Sequence, residues 1–447
     1  MSVKTRVNLS VAILAALSLA LPAAALTPGA VEWETSTQFA GGSNLPDLVE
    51  ASAGRVVMVG EQVTDSGAQD IRLTALSAAD GAVLWDTTFD RNGGYEYALD
   101  VIVTPKDVLV VGGAQDGPDG QVDGLVLRYD VKTGQLIWAS WYDRLGFEEA
   151  FIGVALSGWR IVAAGQSLKG TTGPADAIAV SYDFRDGSQL WYEVYDPAGG
   201  WDLATDVVVA RNLAVISGTA QDTDNRDYLF VKGHDLQSGD PVWITTYDGG
   251  HSARGGALAT VGNTVYVAGD ESAAAGKSAD VMVRAYDAAD GALLWADAYD
   301  VDGFYDSAYD IDVGGGVVVV TGEGRSSAFS PDLLTRAYDA VTGTALWTVQ
   351  HDVAGSSDQS WAVEITDSLA VIVGQGYDGD YEWVVRAYDL ATGALAWDDV
   401  FDRSGGSDSA RDVTSLGPSV FVVGSTQEAG TGYPGEHSDG TIRTYRR

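Results

Sequence analysis

Two loops of this sequence place carboxylates at alternate positions, a pattern that suits a hard cation. The six residues are Asp222, Asp224, Asp227, Asp300, Asp302 and Asp306. Oxygen ligands that converge from a loop are what Ca²⁺ requires. Neither loop has the distant glutamate that completes an EF-hand. The pattern therefore has two interpretations, calcium binding or Asx turns in an acidic loop.

Residue types that support nucleophilic catalysis are scarce. The chain has no cysteine, which excludes disulfides, thiolate metal sites and a cysteine nucleophile. The four histidines are scattered, and neither His-Glu-x-x-His nor a strand followed by Gly-x-Ser-x-Gly occurs. His234 and His351 stand where related segments have aromatic residues, which favours packing. Gly276-Lys277-Ser278 lacks the first glycine and the helix of a phosphate loop, so we expect a surface loop there.

Eight tryptophans recur at intervals of 50–53 residues and define the architecture. They are Trp33, Trp85, Trp138, Trp191, Trp243, Trp295, Trp347 and Trp397. A constant period of this length marks a repeated supersecondary unit. Each unit, such as 296–347, contains four short β-rich runs, and the second run is continuously apolar, as in a strand buried on both faces. Four strands per unit predict an all-β, eight-bladed β-propeller of four-stranded antiparallel blades.

The two ends of the repeat region complete each other. Residues 439–445 match a third strand with no fourth after it, and residues 29–33 match a fourth strand with no third before it. We therefore predict that strand 29–33 completes the last blade and closes the ring, which leaves no open sheet edge. The predicted domain is 26–447, with blades at about 34–85, 86–138, 139–191, 192–243, 244–295, 296–347, 348–397, and 398–447 plus 29–33.

The N-terminal segment has the features of a secretory signal peptide. A basic start is followed by an apolar run from Val11 to Leu21 and an alanine-rich site, so we predict a leader of residues 1–25 cleaved after Ala25. The apolar run is short for a membrane span. With no cysteine for a lipid anchor, we expect an exported protein, periplasmic or extracellular, without an anchor.

The formal net charge of −37 limits the partners of the chain. Such a surface repels nucleic acid and anionic membranes. It suits cations or cationic partners, and it is equally explained by solubility or adaptation to salt.

The turn before each tryptophan carries the tightest signature, as in Ala-Tyr-Asp-Ala-Ala-Asp-Gly-Ala-Leu-Leu-Trp at 285–295. Aspartate shapes the turn, glycine allows positive φ, and tryptophan buries a large ring, so we expect all eight tryptophans to be structural wedges between blades. This pattern resembles the tryptophan-docking motif of the quinoprotein family, whose members form eight-bladed propellers. The whole unit also resembles the SBBP-type propeller repeats of secreted bacterial proteins.

The quinoprotein resemblance raises one specific chemistry. Dehydrogenases of that family hold pyrroloquinoline quinone on the propeller axis, and the alcohol dehydrogenases typically cover it with two adjacent cysteines. They also use Glu, Asn and Asp around a calcium ion. This chain has no cysteine, no local motif for such a set, and nearly uniform units without long insertions. We therefore predict no quinone cofactor, and keep calcium as an alternative.

Two regions of a propeller of this topology are candidates for binding. The loops that join fourth to first strands share a face with those that join second to third strands, and loops on a rigid scaffold often carry function. The acidic residues expected on that face are Asp116, Asp119, Asp123, Asp222, Asp224, Asp227, Asp302, Asp306, Asp378 and Asp380. The aromatic residues are Tyr95, Phe147, Trp201, Phe304, Tyr305, Trp361, Tyr377 and Tyr381.

The second region is the axis, where five innermost strands begin near a carboxylate. These residues are Asp100, Asp206, Asp310, Glu364 and Asp412. They form either an anionic ring that binds a cation or basic segment, or structural contacts to backbone amides between blades. Five copies of one position favour the structural interpretation.

The sequence thus favours a monomeric, non-catalytic binding or scaffold protein. Its partner is expected to be a protein or a glycan, held by the acidic, aromatic loops or by strand addition at a blade edge. The fold also resembles the propeller subunit of outer-membrane assembly machinery, without its lipid-anchor cysteine. A quinone- or calcium-dependent dehydrogenase and a carbohydrate-binding propeller remain the alternatives.

Overall fold

The structure, a computed structural model, describes residues 27–37, 44–63, 67–117, 120–144, 146–170, 173–327, 330–403, 405–427 and 438–447. The regular secondary structure in these ranges consists of β-strands. No helix in them combines the length and apolar character that crossing a bilayer requires. The predicted leader, residues 1–25, lies outside the described ranges.

The strands form eight antiparallel sheets of four, and each sheet is one blade. Blade 1 is β2 (Asn44–Ser52), β3 (Arg55–Val63), β4 (Gln69–Ser77) and β5 (Val83–Phe89). Blade 2 is β6 (Glu96–Val103), β7 (Asp107–Gln115), β8 (Val122–Asp130) and β9 (Leu136–Tyr142). Blade 3 is β10 (Glu149–Ser157), β11 (Arg160–Leu168), β12 (Ala175–Asp183) and β13 (Gln189–Tyr195). Blade 4 is β14 (Leu203–Ala210), β15 (Leu213–Gln221), β16 (Asp227–Asp235) and β17 (Pro241–Tyr247).

The second half repeats this order. Blade 5 is β18 (Ser252–Val261), β19 (Thr264–Ser272), β20 (Asp280–Asp287) and β21 (Leu293–Tyr299). Blade 6 is β22 (Ser307–Gly314), β23 (Val317–Ser327), β24 (Ser330–Asp339) and β25 (Ala345–His351). Blade 7 is β26 (Gln359–Thr366), β27 (Leu369–Tyr377), β28 (Tyr381–Asp389) and β29 (Leu395–Phe401). Blade 8 is β30 (Ser409–Leu416), β31 (Ser419–Thr426), β32 (Asp439–Arg446) and the N-terminal strand β1 (Val31–Thr37).

The blades form a closed ring around an axis. The first strand of each blade contacts the first strand of the next, and the contact between β2 and β30 completes the circle. Second strands are buried on both faces, as Val318, Val319 and Val320 of β23 show. The core lies between blades, since each hydrophobic cluster joins residues of adjacent blades. The prediction of an all-β, eight-bladed propeller is confirmed.

The predicted closure of the last blade is also confirmed. Strand β1 pairs antiparallel with β32, from Val31 opposite Tyr445 to Thr37 opposite Gly440. The strand spans Val31–Thr37, so it begins and ends later than the predicted 29–33 and is longer. In the other blades a continuous turn joins the third strand to the fourth, whereas in blade 8 these two strands come from opposite ends of the chain. The Gly29 N–H donates to the Arg446 carbonyl at 2.8 Å and links the two segments.

The tryptophans contact the next blade in one repeated geometry. Seven indole N–H groups donate to a backbone carbonyl of the following blade, at 2.9–3.3 Å. The eighth, Trp397 Nε1, is buried without a partner at the junction between blades 7 and 8. Each ring also covers the turn glycine of the next blade. Gly343 is required for two reasons: its φ of 69° is unfavourable for other residues, and a Cβ would lie 2.5 Å from the Trp295 ring.

Candidate functional site

The loops from fourth to first strands and the loops from second to third strands share one rim of the propeller. Antiparallel pairing requires this, because Glu96 at the start of β6 pairs with Ala114 near the end of β7, and Gly124 of β8 pairs with Tyr142 at the end of β9. We call this rim the loop face. It carries the acidic and aromatic candidates that the sequence predicted for it, except Asp119, which lies outside the described residues.

The aromatic candidates differ in their availability. Tyr95 and Trp201 are 44% and 50% exposed. Tyr377 and Tyr381 contact each other edge to face at 5.2 Å. The half-buried members are Phe147, Phe304, Tyr305 and Trp361. The predicted face therefore presents several separate aromatic positions, and one part of it forms a continuous surface around the axis.

That continuous surface is an arc of four side chains around the axis, contributed by blades 6, 7, 8 and 1. Tyr309 stacks on Trp361 with ring centroids 5.5 Å apart and an interplanar angle of 19°. The Arg411 guanidinium lies 5.3 Å from the centroid of the Trp361 ring. Arg411 Nε is 3.9 Å from Asp47 Oδ1. We call Tyr309, Trp361, Arg411 and Asp47 the axial arc.

A repeated β-bulge places the residues of the axial arc. The ladder between the first and second strands shifts register at the third residue of β22, β26 and β30, and at the fourth residue of β2. A bulge leaves one residue unpaired and changes the direction of its side chain. An open cleft of about 390 Å³ beside the arc is lined by Asp47, Trp361, Arg411 and Ser425. The cleft thus combines an aromatic ring, a cation, a carboxylate and a hydroxyl.

Deeper on the axis, four aspartates form a ring with one member in every second blade. They are Asp100, Asp206, Asp310 and Asp412. Each accepts the N–H of the following residue and an N–H of the next blade's first strand, at 2.6–2.8 Å. Inner strand edges have no neighbouring strand, so their N–H groups need such acceptors. Of the two interpretations of the axial carboxylates, these contacts support the structural one.

The occurrence of an aspartate in every second blade follows from these hydrogen bonds. The blades between hold small or apolar residues at the same position, namely Leu48, Gly153, Ala257 and Ala362. One carboxylate has two oxygens and therefore serves the N–H groups of two blades. The sequence does contain the signal, because the four aspartates are 102–106 residues apart, twice the blade period.

Glu364 does not belong to this ring, although the sequence analysis grouped it there. It lies two residues beyond the ring position on β26 and accepts a hydrogen bond from Ser415 Oγ at 2.7 Å. Asp312 lies at the same level and bridges the N–H groups of Val313 and Ile365 at 2.7 Å. Glu50 is a third carboxylate at this depth, and the nearby charge of Glu364 contributes to raising its pKa. Sequence analysis missed Asp312 and Glu50.

Burial and mutual repulsion raise the pKa values of the axial carboxyl groups. Burial, followed by the charge of Asp206, raises the pKa of Asp100 to about 8. Burial raises the pKa of Asp310 to about 8, of Asp412 to about 7 and of Asp206 to about 6. Burial, together with Asp412 and Glu364, raises the pKa of Glu50 to about 8. We therefore expect these axial carboxyl groups to titrate near neutral pH.

This shift predicts a decline in stability as the pH rises. Between the ordinary aspartate value of 3.8 and about 8, the folded chain holds more protons than the unfolded chain, so the free energy of unfolding falls as pH increases through 6–8. We expect a lower melting temperature at pH 8.5 than at pH 6.5, measured at constant ionic strength. His234 has the opposite effect at lower pH. Burial lowers its pKa from 6.5 to about 4, so its contribution to the free energy of unfolding rises with pH between those values. A melting temperature that rises from pH 6.5 to 8.5 would contradict the prediction.

The loop face also carries a repeated acidic loop that sequence analysis did not identify. The pattern Asp-x-x-Gly-x-x-Asp/Glu stands at six blade junctions, at 90–96, 143–149, 196–202, 300–306, 352–358 and 402–408. In each copy the first aspartate accepts the N–H of the glycine, which forms an Asx turn. Five of these loops meet an acid at the start of the preceding blade's third strand.

The result is five groups of three acids whose nearest carboxylate oxygens lie within 4.8 Å of one another. We call them acidic trios. They are Asp70–Asp90–Glu96, Asp123–Asp143–Glu149, Asp176–Asp196–Asp202, Asp280–Asp300–Asp306 and Asp332–Asp352–Asp358. Their three members come from different strands and loops, and they meet only where two blades pack.

The six residues predicted as metal ligands have different positions in the structure. Asp300 and Asp306 belong to a trio, but their third member is Asp280, and Asp302 is exposed outside it. In the other loop, Asp222 accepts the backbone N–H groups of Asp224 and Arg226 at 2.8 and 3.0 Å. Asp227 accepts Gln221 Nε2 at 3.0 Å. Asp222, Asp224 and Asp227 form no such group in the described part of the chain.

Two of the histidines have packing roles. His234 stacks on Trp191 with centroids 6.1 Å apart, and its Nδ1 is 2.8 Å from Glu193 Oε2. His351 Nε2 is 2.8 Å from an Arg386 nitrogen. His437 lies outside the described residues.

The fold and its repeated junctions define an eight-bladed β-propeller with PQQ-like repeats. The chain belongs to the family described as outer membrane protein assembly factor BamB, whose sequence profile matches residues 20–227 and 230–432. No curated protein sequence matches this chain.

Solved structures share the fold at low identity. Quinohemoprotein alcohol dehydrogenase ADHIIG from Pseudomonas putida HK5 is 15% identical, with a TM-score of 0.58 over 92% of this chain and 75% of that chain. A europium-containing methanol dehydrogenase is 12% identical, with a TM-score of 0.58 over 94% of this chain and 93% of that chain. Sqt1 from Chaetomium thermophilum is 12% identical, with a TM-score of 0.53 over 88% and 93%. These similarities establish the architecture alone.

Proposed function

We propose that this chain is an exported, non-catalytic binding protein that holds its ligand in the cleft beside the axial arc. The observation that carries the proposal is the arc itself, where Tyr309, Trp361, Arg411 and Asp47 form one continuous surface from four consecutive blades. Stacked aromatic rings offer a flat apolar platform, and the flanking charges orient polar groups placed upon it. A peptide segment or a sugar ring has both kinds of surface.

The axis supports binding over quinone chemistry. Pyrroloquinoline quinone carries carboxylate groups, so its site must supply cations or N–H donors. The eight ring positions here hold four aspartates and four small or apolar residues. Each aspartate already accepts two backbone N–H groups. These residues supply hydrogen-bond acceptors and apolar groups where an anionic quinone needs cations or N–H donors, so they do not fit it.

The binding site is tested by substitution at the centre of the arc. We expect the Trp361→Ala variant to lose about fivefold or more in affinity for a ligand found on glycan or peptide arrays, since stacking of a ring or peptide group on an aromatic side chain contributes about 1 kcal/mol or more. Trp201→Ala is the matched control, because Trp201 is on the same face but 50% exposed and away from the arc. Equal affinity of the two variants would exclude the arc as the site.

The dehydrogenase alternative has a separate test. The chain is mixed with pyrroloquinoline quinone and Ca²⁺, and absorbance and alcohol-dependent dye reduction are recorded. We expect neither a bound-quinone spectrum nor turnover. Saturable quinone binding with dye reduction would overturn the non-catalytic proposal.

Export and the oligomeric state belong to the same proposal. The sequence of residues 1–25 supports cleavage after Ala25, and the N-terminal sequence of the protein recovered outside the cytoplasm tests it. The net charge of −37 supports a soluble chain that does not bind nucleic acid. Light scattering is expected to give the mass of a monomer.

A further inference from the structure

The acidic trio between blades 1 and 2 differs from the other trios in its buried member. Glu96 has no exposed surface, and neither of its carboxylate oxygens makes a well-formed hydrogen bond. The nearby Arg91 backbone N–H favours the charged form of Glu96, but it does not form a well-directed hydrogen bond with either oxygen. In contrast, Asp306 and Asp358, at the same position elsewhere, each accept two backbone N–H groups at 2.7–2.9 Å. A buried carboxylate without a partner is costly, so it requires an explanation.

An internal cation occupies the equivalent place between blades 3 and 4. There the Lys169 ammonium lies 2.5 Å from Asp176 Oδ1 and 2.7 Å from Asp196 Oδ2. Arg144 adds a contact to Asp176 at 2.7 Å. The fold itself therefore places positive charge in one trio, which shows that the geometry accommodates a cation.

The trio between blades 1 and 2 has no such internal cation. Among the described residues, no lysine or arginine forms an ion pair with Asp70, Asp90 or Glu96. The next trio is intermediate, since Arg91 contacts its Asp123 at 2.6 Å and Ser167 Oγ donates to Glu149 at 2.8 Å. The three carboxylates of the first trio thus converge without a cation in direct contact, since the Arg91 guanidinium pairs with Asp123 and acts on Glu96 only from a distance.

We propose that Asp70, Asp90 and Glu96 form a calcium-binding site that joins blades 1 and 2. Three carboxylates within 4.8 Å supply the hard oxygen ligands that Ca²⁺ prefers, and water or backbone carbonyls complete its coordination. The backbone bridge between Gln69 and Tyr95 holds the segments immediately before Asp70 and Glu96 together. Asp90 is exposed and leaves a path for the ion. The ion neutralises the site as Lys169 does two junctions away.

The test compares two substitutions at the same loop position. Asp90→Asn removes a ligand charge, while its remaining side-chain oxygen can still accept the Gly93 N–H that forms the turn. Asp196→Asn makes the same change in the trio that Lys169 fills. Calorimetric titration with CaCl₂ is carried out on wild type and both variants at constant ionic strength, with MgCl₂ as a second titrant. Thermal unfolding with CaCl₂ or EGTA gives an independent readout.

We expect Asp90→Asn to bind one calcium ion fewer than wild type, or to bind it at least about tenfold more weakly, and Asp196→Asn to match wild type. Glu96→Gln is expected to lose the same ion while remaining folded in EGTA, because it removes an unpaired buried charge. Calcium should raise the melting temperature of wild type and of Asp196→Asn more than that of Asp90→Asn. No saturable calcium binding by wild type at millimolar concentration would overturn the proposal, as would unchanged binding by Asp90→Asn and Glu96→Gln.

Discussion

Removing residues 27–37 is expected to lower the melting temperature by at least about 5 °C and to broaden the transition. These residues contain β1, which forms the fourth strand of blade 8 and pairs with β32 along its length. Trp33 is 3% exposed and packs with Phe421 of blade 8 at 5.9 Å. Loss of a buried tryptophan alone costs about 3–5 kcal/mol. The deletion also opens the edge of β32 and removes the Trp33 contact with the turn of blade 1.

Two controls separate ring closure from a general effect of truncation. A variant that begins at residue 26 keeps β1 and should retain the full melting temperature. A synthetic peptide of residues 27–37, added to the shortened chain, should raise its melting temperature with saturation, since a ligand that binds only the folded state stabilises it. An unchanged melting temperature in the shortened chain would contradict closure by β1.

Asp310→Ala is expected to destabilise the fold by about 2–4 kcal/mol, because it leaves two backbone N–H groups without their acceptor. These groups belong to Ile311 and Val363, on the inner strands of blades 6 and 7. The substitution therefore weakens a junction between blades, not only one blade. Asp224→Ala is the control, since the Asp224 side chain is 69% exposed and should change stability by no more than about 0.5 kcal/mol.

Asp310→Asn distinguishes charge from hydrogen bonding at the same position. Asparagine has one side-chain acceptor oxygen, so it can replace one of the two contacts and its amide opposes the other N–H. It also removes a group whose pKa burial raises to about 8. We expect an intermediate stability at pH 6 and a shallower fall in stability between pH 6.5 and 8.5 than in wild type. Urea unfolding at several pH values measures both, and a wild-type pH slope in this variant would exclude a role of Asp310 in the titration.

The closure of the ring could be predicted because each of its elements is local in the sequence. The signature around Trp33 matches the last strand of other units, and residues 439–445 match the strand that precedes it. The bounds of β1 differed from the prediction, since residues 29 and 30 belong to a turn before the strand, and residues 34–37 lack the repeated signature but pair with β32. The ring aspartates were found for the same reason, as they stand at a repeated position.

The composition of the axial ring and of the trios could not be predicted from single loops. Glu364 was grouped with Asp310 because both are acids near the start of a first strand, but a shift of two residues places Glu364 at another level. The spacing of the loop predicted Asp302 as a metal ligand beside Asp300 and Asp306. In the structure, the third carboxylate close to those two residues is Asp280. The repeated Asp-x-x-Gly-x-x-Asp/Glu pattern was the available signal for the trios.

The sequence by itself determined the fold, the number of blades and the strand that closes the ring. A period of 50–53 residues with a tryptophan in each copy repeats the same local choices of strand and turn, and such choices depend on nearby residues. The tertiary structure decided which carboxylates meet and which aromatic residues form the axial arc. Asp70 and Asp90 are twenty residues apart, and the arc spans four blades. Contacts across blade junctions depend on register, bulges and packing, which no local pattern encodes.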